Sequence, residues 1–242
     1  MKIASFNVQR FGVSRLSPRG SVVQIASRYD IIVVLEVVDV SGASVKTFLE
    51  ELNKVDTTHH CGLQLSARLG RNRYKERFLF LWRGFRHPRN ISSHGRPLLF
   101  AVLRDVVLIP VHAAPRIRIL TKTAACDSLR NVMILGDFKA DGIRIRSDEN
   151  FHWLIGDDVD TTTNTSSHQA YDRIVVYGDD MLAAFVPNSA KPFDFRKEFA
   201  MTEQMVSFAS LAPSSGCCVL KDKPCDEPRW GAGRKKTSKR TQ

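Results

Sequence analysis

The stretch NVMILGDFKAD, residues 131–141, has the form of a buried strand that ends in charged residues. Four apolar residues are followed by a glycine, by Asp137 and, beyond Lys139, by a second acid. Carboxylates at the end of a hydrophobic strand indicate either a tight turn or an active site, because ligands bind outside the carboxyl ends of strands in α/β proteins. The segments around this stretch decide between the two.

Strands and helices alternate along the first half of the chain. Residues 30–39, DIIVVLEVVD, form a continuous apolar run around Glu36, which is typical of a buried strand. Residues 44–55, SVKTFLEELNKV, place apolar side chains at i, i+3, i+4 and i+7, which indicates an amphipathic helix. The middle of the chain holds further strand-like runs, RFLFLW, PLLFAVL and VVLIPVH. The pattern predicts an α/β protein with mixed sheets and outer helices.

The net charge and the hydrophobic content limit the kinds of partner that the protein is expected to bind. The chain has 242 residues, 43% of them hydrophobic, and a net charge of +11. A positive surplus of this size favours an anionic partner such as nucleic acid, an acidic membrane surface or an acidic protein. No apolar run reaches the ~18 residues of a membrane span. The start of the chain lacks a signal-peptide pattern, so we expect synthesis in the cytosol.

Polar residues recur where strand-like runs begin or end. Taken singly, each has an ordinary structural explanation, and a lone histidine after a strand is usually structural. These polar residues would form a single pocket if the sheets place the strand ends that carry them at the same edge. Carboxylates with an amide suit a hard divalent cation, and a histidine can act as acid or base near neutral pH. The residues are Asn7, Glu36, Glu76, His112, Asp137, Tyr171 and Asp172.

At these positions the chain resembles the deoxyribonuclease I family, within the endonuclease/exonuclease/phosphatase fold. The matching stretches span about residues 2–205. Within the family, FHWLIGD, the loop at 160–169 and the basic end GRKKTSKR are most similar to the DNase gamma branch. The matching stretches are IASFNVQRFG, YDIIVVLEVVD, LGRNRYKERFLFL, LIPVHAAP, NVMILGDFKAD, FHWLIGDDVDTTTN, AYDRIVV and VPNSAKPFDF.

The resemblance implies a four-layer α/β/β/α sandwich over residues 1–206 and metal-dependent hydrolysis of phosphodiester bonds in double-stranded DNA by a monomer. It implies Mg²⁺ and Ca²⁺ as cofactors, with Mn²⁺ able to substitute. By position, the implied catalytic residues are Glu76, His112, Asp137 and Asp172, with Glu76 pairing with the histidine. The implied metal ligands are Asn7 and Glu36 at the active site and Asp160 and Thr162 in a calcium loop. The implied DNA contacts are Arg71 and Tyr74.

The sequence also departs from the family pattern. Lys139 stands where the family has asparagine, at a position that serves metal and phosphate binding. Its positively charged ammonium group could repel the metal ion or could bind the phosphate. The family's last strand, with its Asp–His pair, has no counterpart, and several internal segments are short. We therefore expect the last strand to be missing, a sheet edge to be open and activity to be impaired. Residues 207–228 are expected to form a divergent linker.

Two other functions stay open. The chain could be a catalytically inactive relative, or a truncated gene product, that still binds DNA or chromatin. It could also be another enzyme of the same fold, although GRNRYKERF and PFDF argue against that. Residues 229–242 carry six basic residues and no acid, which predicts a disordered tail that contacts nucleic acid. The tail favours the nucleus, whereas members of the resembled family are secreted or routed through the endoplasmic reticulum.

Overall fold

Two six-stranded mixed sheets form the centre of the protein. The computed structural model describes residues 1–12, 19–69, 75–84, 89–90, 101–103, 106–112, 131–138, 148–161, 171–200 and 215–219. The first sheet contains β1 (Lys2–Phe11), β2 (Ile31–Val37), β3 (Cys61–Leu65), β4 (Arg77–Arg83), β11 (Lys191–Phe193) and β12 (Ser215–Val219). Its strand order is β11-β12-β1-β2-β4-β3.

The second sheet has the order β5-β6-β7-β8-β10-β9. Its centre is the parallel pair of β7 and β8, which is flanked by antiparallel neighbours. Its strands are β5 (Arg89–Asn90), β6 (Ala101–Leu103), β7 (Val106–His112), β8 (Val132–Asp137), β9 (Phe151–Trp153) and β10 (Asp172–Tyr177).

Four helices lie within the described ranges, namely α1 (Arg19–Ala26), α2 (Ala43–Val55), α3 (Asp179–Ala183) and α4 (Phe195–Glu198). The helix predicted from the spacing at 44–55 is α2, and its periodic side chains Val45, Phe48 and Leu52 are buried. No helix in the described part of the chain is long and apolar enough to cross a membrane.

Three apolar clusters separate the layers. One packs α1 and α2 on the outer face of the first sheet, and it includes Phe6 and Phe48. A second lies between the sheets, with Leu35 and Phe80 from one sheet and Leu135 from the other. A third covers the outer face of the second sheet. The predicted α/β sandwich is confirmed, and residues 113–130, between β7 and β8, lie outside the described ranges.

The expectation that the last strand is missing is wrong. Residues Ser215–Val219 form β12, which pairs antiparallel with β1 and with β11, so the edge of β1 is covered. The physical reason is that strand pairing uses backbone N–H and C=O groups, which a divergent sequence also supplies. The strand lies inside the segment predicted to be a linker. Its sequence, SGCCV, contains neither aspartate nor histidine.

Candidate active site

Two irregularities in neighbouring strands bring Asn7 and Glu36 together. The register between β1 and β2 shifts between Asn7 and Phe11, and the register between β2 and β4 shifts between Val34 and Val37. Glu36 has a positive φ of 58°, which is uncommon for a residue with a side chain. Such bulges re-aim side chains beside functional sites. As a result, Nδ2 of Asn7 donates a hydrogen bond of 2.8 Å to Oε1 of Glu36.

His112, the last residue of β7, lies between two carboxylates. Its Nδ1 is 2.8 Å from Oε2 of Glu76, which lies just before β4. Its Nε2 is 3.0 Å from Oε1 of Glu36 and 3.9 Å from Oδ2 of Asp137. The approach to Glu36 is a charge contact and not an aligned hydrogen bond, because Nε2 has no hydrogen-bond partner among the described residues. The contact with Glu76 therefore holds Nδ1 in place, and Nε2 faces the carboxylates of Glu36 and Asp137.

The second sheet sets Asp137 and Asp172 side by side. His112 pairs with Asp137 across the parallel strands β7 and β8, and Asp137 pairs with Asp172 across the antiparallel strands β8 and β10. Both aspartates are buried, with 7% and 5% exposure. Gly136 makes this register possible, because its φ is 135° and a Cβ there would overlap the carbonyl oxygen of Val111. We did not predict this role for the glycine, although its place in LGDF was a signal.

The electrostatics of the site follow from these contacts. Burial opposes ionisation of Glu36, but the contact with His112 and the hydrogen bond from Asn7 lower its pKa to about 2. Burial likewise opposes protonation of His112, but the carboxylates of Glu36 and Glu76 raise its pKa to about 9. At neutral pH the imidazole is therefore a cation among carboxylates, and it holds a proton on the nitrogen that faces the pocket.

The donor set fits a divalent cation that is shared with a substrate. No group of three or more His, Cys, Asp or Glu side chains among the described residues has the arrangement of a metal site. Mg²⁺ characteristically takes one or two protein carboxylates and completes its shell with waters and substrate phosphate oxygens. The oxygens of Glu36 and Asn7, beside the buried Asp137, match that requirement.

Hydrogen bonds with the segment after β9 hold the start of β10, where Asp172 lies. Thr161 is 1% exposed, and its hydroxyl oxygen accepts a hydrogen bond of 3.0 Å from the backbone N–H of Asp172. The buried guanidinium of Arg173 donates to the carbonyl oxygens of Ile155 and Gly156 and contacts the carboxylate of Asp157 at 2.6 Å. We did not predict roles for Thr161 and Arg173, although a charged residue inside the run YDRIVV was a signal.

The structure does not describe several of the predicted site residues. Arg71, Tyr74, Lys139 and Thr162 lie outside the described ranges, so their roles stay predictions. Asp160 is described and exposed, next to the buried Thr161. The calcium loop at Asp160 and Thr162 therefore also stays a prediction.

The fold is shared with solved nucleases and related proteins. The structure is similar to an endonuclease/exonuclease/phosphatase family protein from Leptotrichia buccalis, with a TM-score of 0.58 and 14% identity, covering 92% of this chain and 100% of that one. It is also similar to an AP endonuclease from Archaeoglobus fulgidus, with a TM-score of 0.59 and 11% identity, covering 92% and 100%. These likenesses confirm the predicted fold.

Sequence comparison identifies relatives at higher identity than the solved structures do. No family model matches the chain. It is 35% identical to Deoxyribonuclease-1 from Homo sapiens over 254 residues, which covers 87% of this chain and 89% of that protein. It is 31% identical to Deoxyribonuclease gamma from Homo sapiens, covering 84% and 81%. These values do not single out the gamma branch that the motifs favour.

The alignment with the human Deoxyribonuclease-1 also contains gaps in this chain, because its 254 positions exceed the 242 residues present. The relative therefore has residues that this chain lacks, as the short internal segments suggest. The 35% sequence identity extends over most of this chain and most of the human protein, which shows common family membership as well as a common fold. The chain accordingly belongs to the deoxyribonuclease I family.

Proposed function

We propose that this protein is a divalent-metal-dependent endonuclease that hydrolyses phosphodiester bonds in double-stranded DNA. The observation that carries the proposal is the position of His112, which holds Glu76 on one ring nitrogen and turns the other toward Glu36 and Asp137. Family membership supports the reaction class, and the surplus of positive charge supports a polyanionic substrate.

Phosphodiester hydrolysis needs a base for water, relief of negative charge on the phosphoryl oxygens and an acid for the leaving O3′. Glu76 orients the imidazole through Nδ1 and keeps it protonated, so Nε2 of His112 can deliver a proton to the leaving oxygen. A divalent cation, held by Asn7 and Glu36, would supply the relief of charge. The buried Asp137 and Asp172 would position the cation and the phosphate from the second sheet.

Finer features are part of the same proposal. Mg²⁺ is the expected active-site cation, with Mn²⁺ as a substitute, and Ca²⁺ is expected to rigidify the loop at Asp160 and Thr162. Arg71 and Tyr74 would contact the minor groove of DNA. The expected protein is a monomer that acts on DNA or chromatin, and the basic tail favours the nucleus.

Activity is expected to be lower than in a relative with the full family pattern. Lys139 stands where the family pattern has asparagine, so the sequence carries a positive charge at a position that serves a metal cation in the pattern. The strand β12 covers the sheet edge, but its SGCCV sequence does not restore the family's Asp–His pair. A second candidate function, an inactive protein that binds DNA or chromatin, is favoured by these two features.

The test is nicking of supercoiled plasmid by the purified full chain in Mg²⁺ and Ca²⁺. The proposal expects nicking that EDTA abolishes and that His112→Ala reduces by about 10²–10⁴-fold, the range of a general acid. His152→Ala is the matched control, since His152 lies on β9 with its ring 3.0 Å from Asp179. Nicking in EDTA, or equal loss in both histidine variants, would contradict the proposal. A folded protein that binds DNA without nicking it would establish the second candidate.

The tail is tested separately by ending the chain at Pro228. Each phosphate that the tail neutralises contributes about 0.9 to the slope of log K against log salt on duplex DNA. The shortened protein should therefore bind duplex DNA more weakly and with a flatter slope. An unchanged slope would exclude the tail as a DNA arm. The nuclear location is tested by comparing where the full and shortened chains accumulate in cells.

A further inference from the structure

An apolar groove lies at the edge of the second sheet, beside β9. It has a volume of about 450 Å³, and its walls come from the end of β9, from α3 and from the segment that follows α3. Leu182 and Val186 in these walls are 38% and 39% exposed. An apolar patch with a polar rim is typical of an interaction surface. The lining includes Trp153, Leu154, Leu182, Phe185, Val186 and Pro187.

The walls of the groove are anchored in the core. Phe185 is 4% exposed and belongs to the cluster between the two sheets. The ring of Trp153 lies 5.6 Å from the ring of Phe138, and the backbone N–H of Leu154 donates to the carbonyl oxygen of Ile174 at 2.9 Å. The groove is therefore a preformed feature of the fold.

The two segments that carry the groove are acidic, although the net charge of the chain is +11. Residues 148–160 contain five acids and residues 178–190 contain two, and neither segment holds a lysine or an arginine. The N–H of Gly178 donates to the carbonyl oxygen of Asn150 at 2.8 Å, which brings the starts of the two segments together. The rim therefore favours a positively charged occupant. Three of its acids are exposed and form no ion pair among the described residues, namely Glu149, Asp158 and Asp180.

The last described strand ends beside this groove. β12 runs antiparallel to β11, and its Cys217 pairs with Lys191, which directly follows the groove residue Ala190. β12 ends at Val219, two residues further in the direction of Ala190, or about 7 Å along the strand. The segment that follows Val219 therefore starts near the lip of the groove.

This following segment has the composition that the groove and its rim require. Trp230 is the only aromatic residue in the sequence from 220 to 242, and it is flanked by the six basic residues of the tail. The eleven residues from Val219 to Trp230 can span at most about 36–40 Å, which is ample for the distance. The groove volume lies within the ~300–1,000 Å³ of pockets that bury small-molecule ligands, so an indole ring fits.

From these observations we infer that the C-terminal segment docks on its own domain, with the indole of Trp230 in the groove and the neighbouring lysines and arginines on the acidic rim. Aromatic side chains seated in pockets are common anchors of such contacts. A short tether gives an effective concentration in the millimolar range, so even a weak contact stays occupied. The contact forms in the free protein and is independent of the proposed nuclease reaction. Duplex DNA would compete for the same basic residues.

The first test replaces Trp230 in the full chain by the photoreactive residue p-benzoylphenylalanine. Illumination of the dilute protein joins this side chain to C–H groups that it touches, and mass spectrometry identifies them. Cross-links within one molecule to residues 153–154 or 182–190 are expected. Val186→Lys places a cation on the groove and should lose most of these cross-links. Val55→Lys, at a 57% exposed position on α2, is the matched control and should keep them.

A second measurement uses the natural tryptophan. Trypsin should cleave slowly after Arg234, because a segment that is held on the domain must first be released. Trp230→Ala should speed this cleavage several-fold, and so should Val186→Lys. The two substitutions together should be no faster than either alone, since both remove the same contact.

Cross-links that map elsewhere, or that join two molecules, would overturn the inference. So would cleavage that Trp230→Ala leaves unchanged, or equal effects of Val55→Lys and Val186→Lys. None of these measurements involves nicking. Their failure would therefore leave the nuclease proposal standing, and a protein that never nicks DNA could still show the docked segment.

Discussion

Nδ1 of His112 lies 2.8 Å from Oε2 of Glu76, although 36 residues separate them in the chain. The contact joins the two sheets at the site, because His112 ends β7 and Glu76 precedes β4. With Glu36 on the other side, it raises the pKa of the imidazole to about 9. A proton donor is therefore available well above neutral pH.

Replacing Glu76 by glutamine tests this relationship. The amide keeps the size of the side chain but removes its charge, so the pKa of His112 should fall. Nicking should decline, and the alkaline limb of its pH profile should move to lower pH because the proton is lost earlier. Initial rates of plasmid nicking across pH measure the shift. Glu51→Gln, which removes a carboxylate paired with Lys54 on α2, should leave the profile in place. An unmoved alkaline limb in Glu76→Gln would contradict the assignment.

Gly136→Ala should destabilise the protein strongly. Its Cβ would overlap the carbonyl oxygen of Val111 at the register that pairs His112 with Asp137, and φ is 135°. Gly42→Ala separates the steric overlap from the cost of the positive φ, since Gly42 has a φ of 76° and nothing lies within 4 Å of where an added Cβ would be. The control should lose about 1–2 kcal/mol, the cost of a left-handed residue with a side chain. Chemical denaturation should show a clearly larger loss for Gly136→Ala, and equal losses would show that β7 can move away.

Asp39 should make stability depend on acid pH. The side chain is 7% exposed and accepts hydrogen bonds from Ser41, Gly42 and Ser44 at the start of α2. Burial opposes its ionisation, but these bonds, those of Ser44 first, lower its pKa from 3.8 to about 2. Since the folded pKa lies below the unfolded one, the stabilisation is present above about pH 4 and is lost as pH falls toward 2.

The variant Asp39→Asn should therefore lose about 2 kcal/mol of unfolding free energy at neutral pH, and the gap to wild type should close in acid. Denaturant titrations at a series of pH values measure the gap. Asp194→Asn, at a single cap hydrogen bond to Lys197, should lose less. A gap that stays constant down to the most acidic condition would disprove the role of the ionised carboxylate.

Lys139→Asn should increase nicking and lower the Mg²⁺ concentration that gives half the maximal rate. The substitution removes a positive charge from the segment that follows Asp137 and restores the residue of the family pattern. Titration of Mg²⁺ in the plasmid assay measures both effects. Lys46→Asn on the exposed side of α2 is the control for lost charge. Weaker DNA binding and slower nicking in Lys139→Asn would show instead that the lysine grips the phosphate.

The local elements and the chemical groups at their ends could be predicted from the amino-acid sequence. The apolar run around Glu36 in β2 and the spacing of Val45, Phe48 and Leu52 in α2 depend on near neighbours, so the local pattern was sufficient to predict both elements. The acids, the amide and the histidine were identified by residue type and by family pattern. The substitution at Lys139 was visible for the same reason.

The distances between those groups depend on tertiary contacts that the sequence pattern does not contain. The pairing of β12 with β1, the positive φ of Glu36 and the close approach of Gly136 to Val111 all depend on partners far away in the chain. Strand pairing is made by backbone groups that every residue carries, so a divergent segment could fill a position that its side chains did not predict. The shifts of register that bring Asn7 to Glu36 likewise depend on strand pairing, which no local pattern contains.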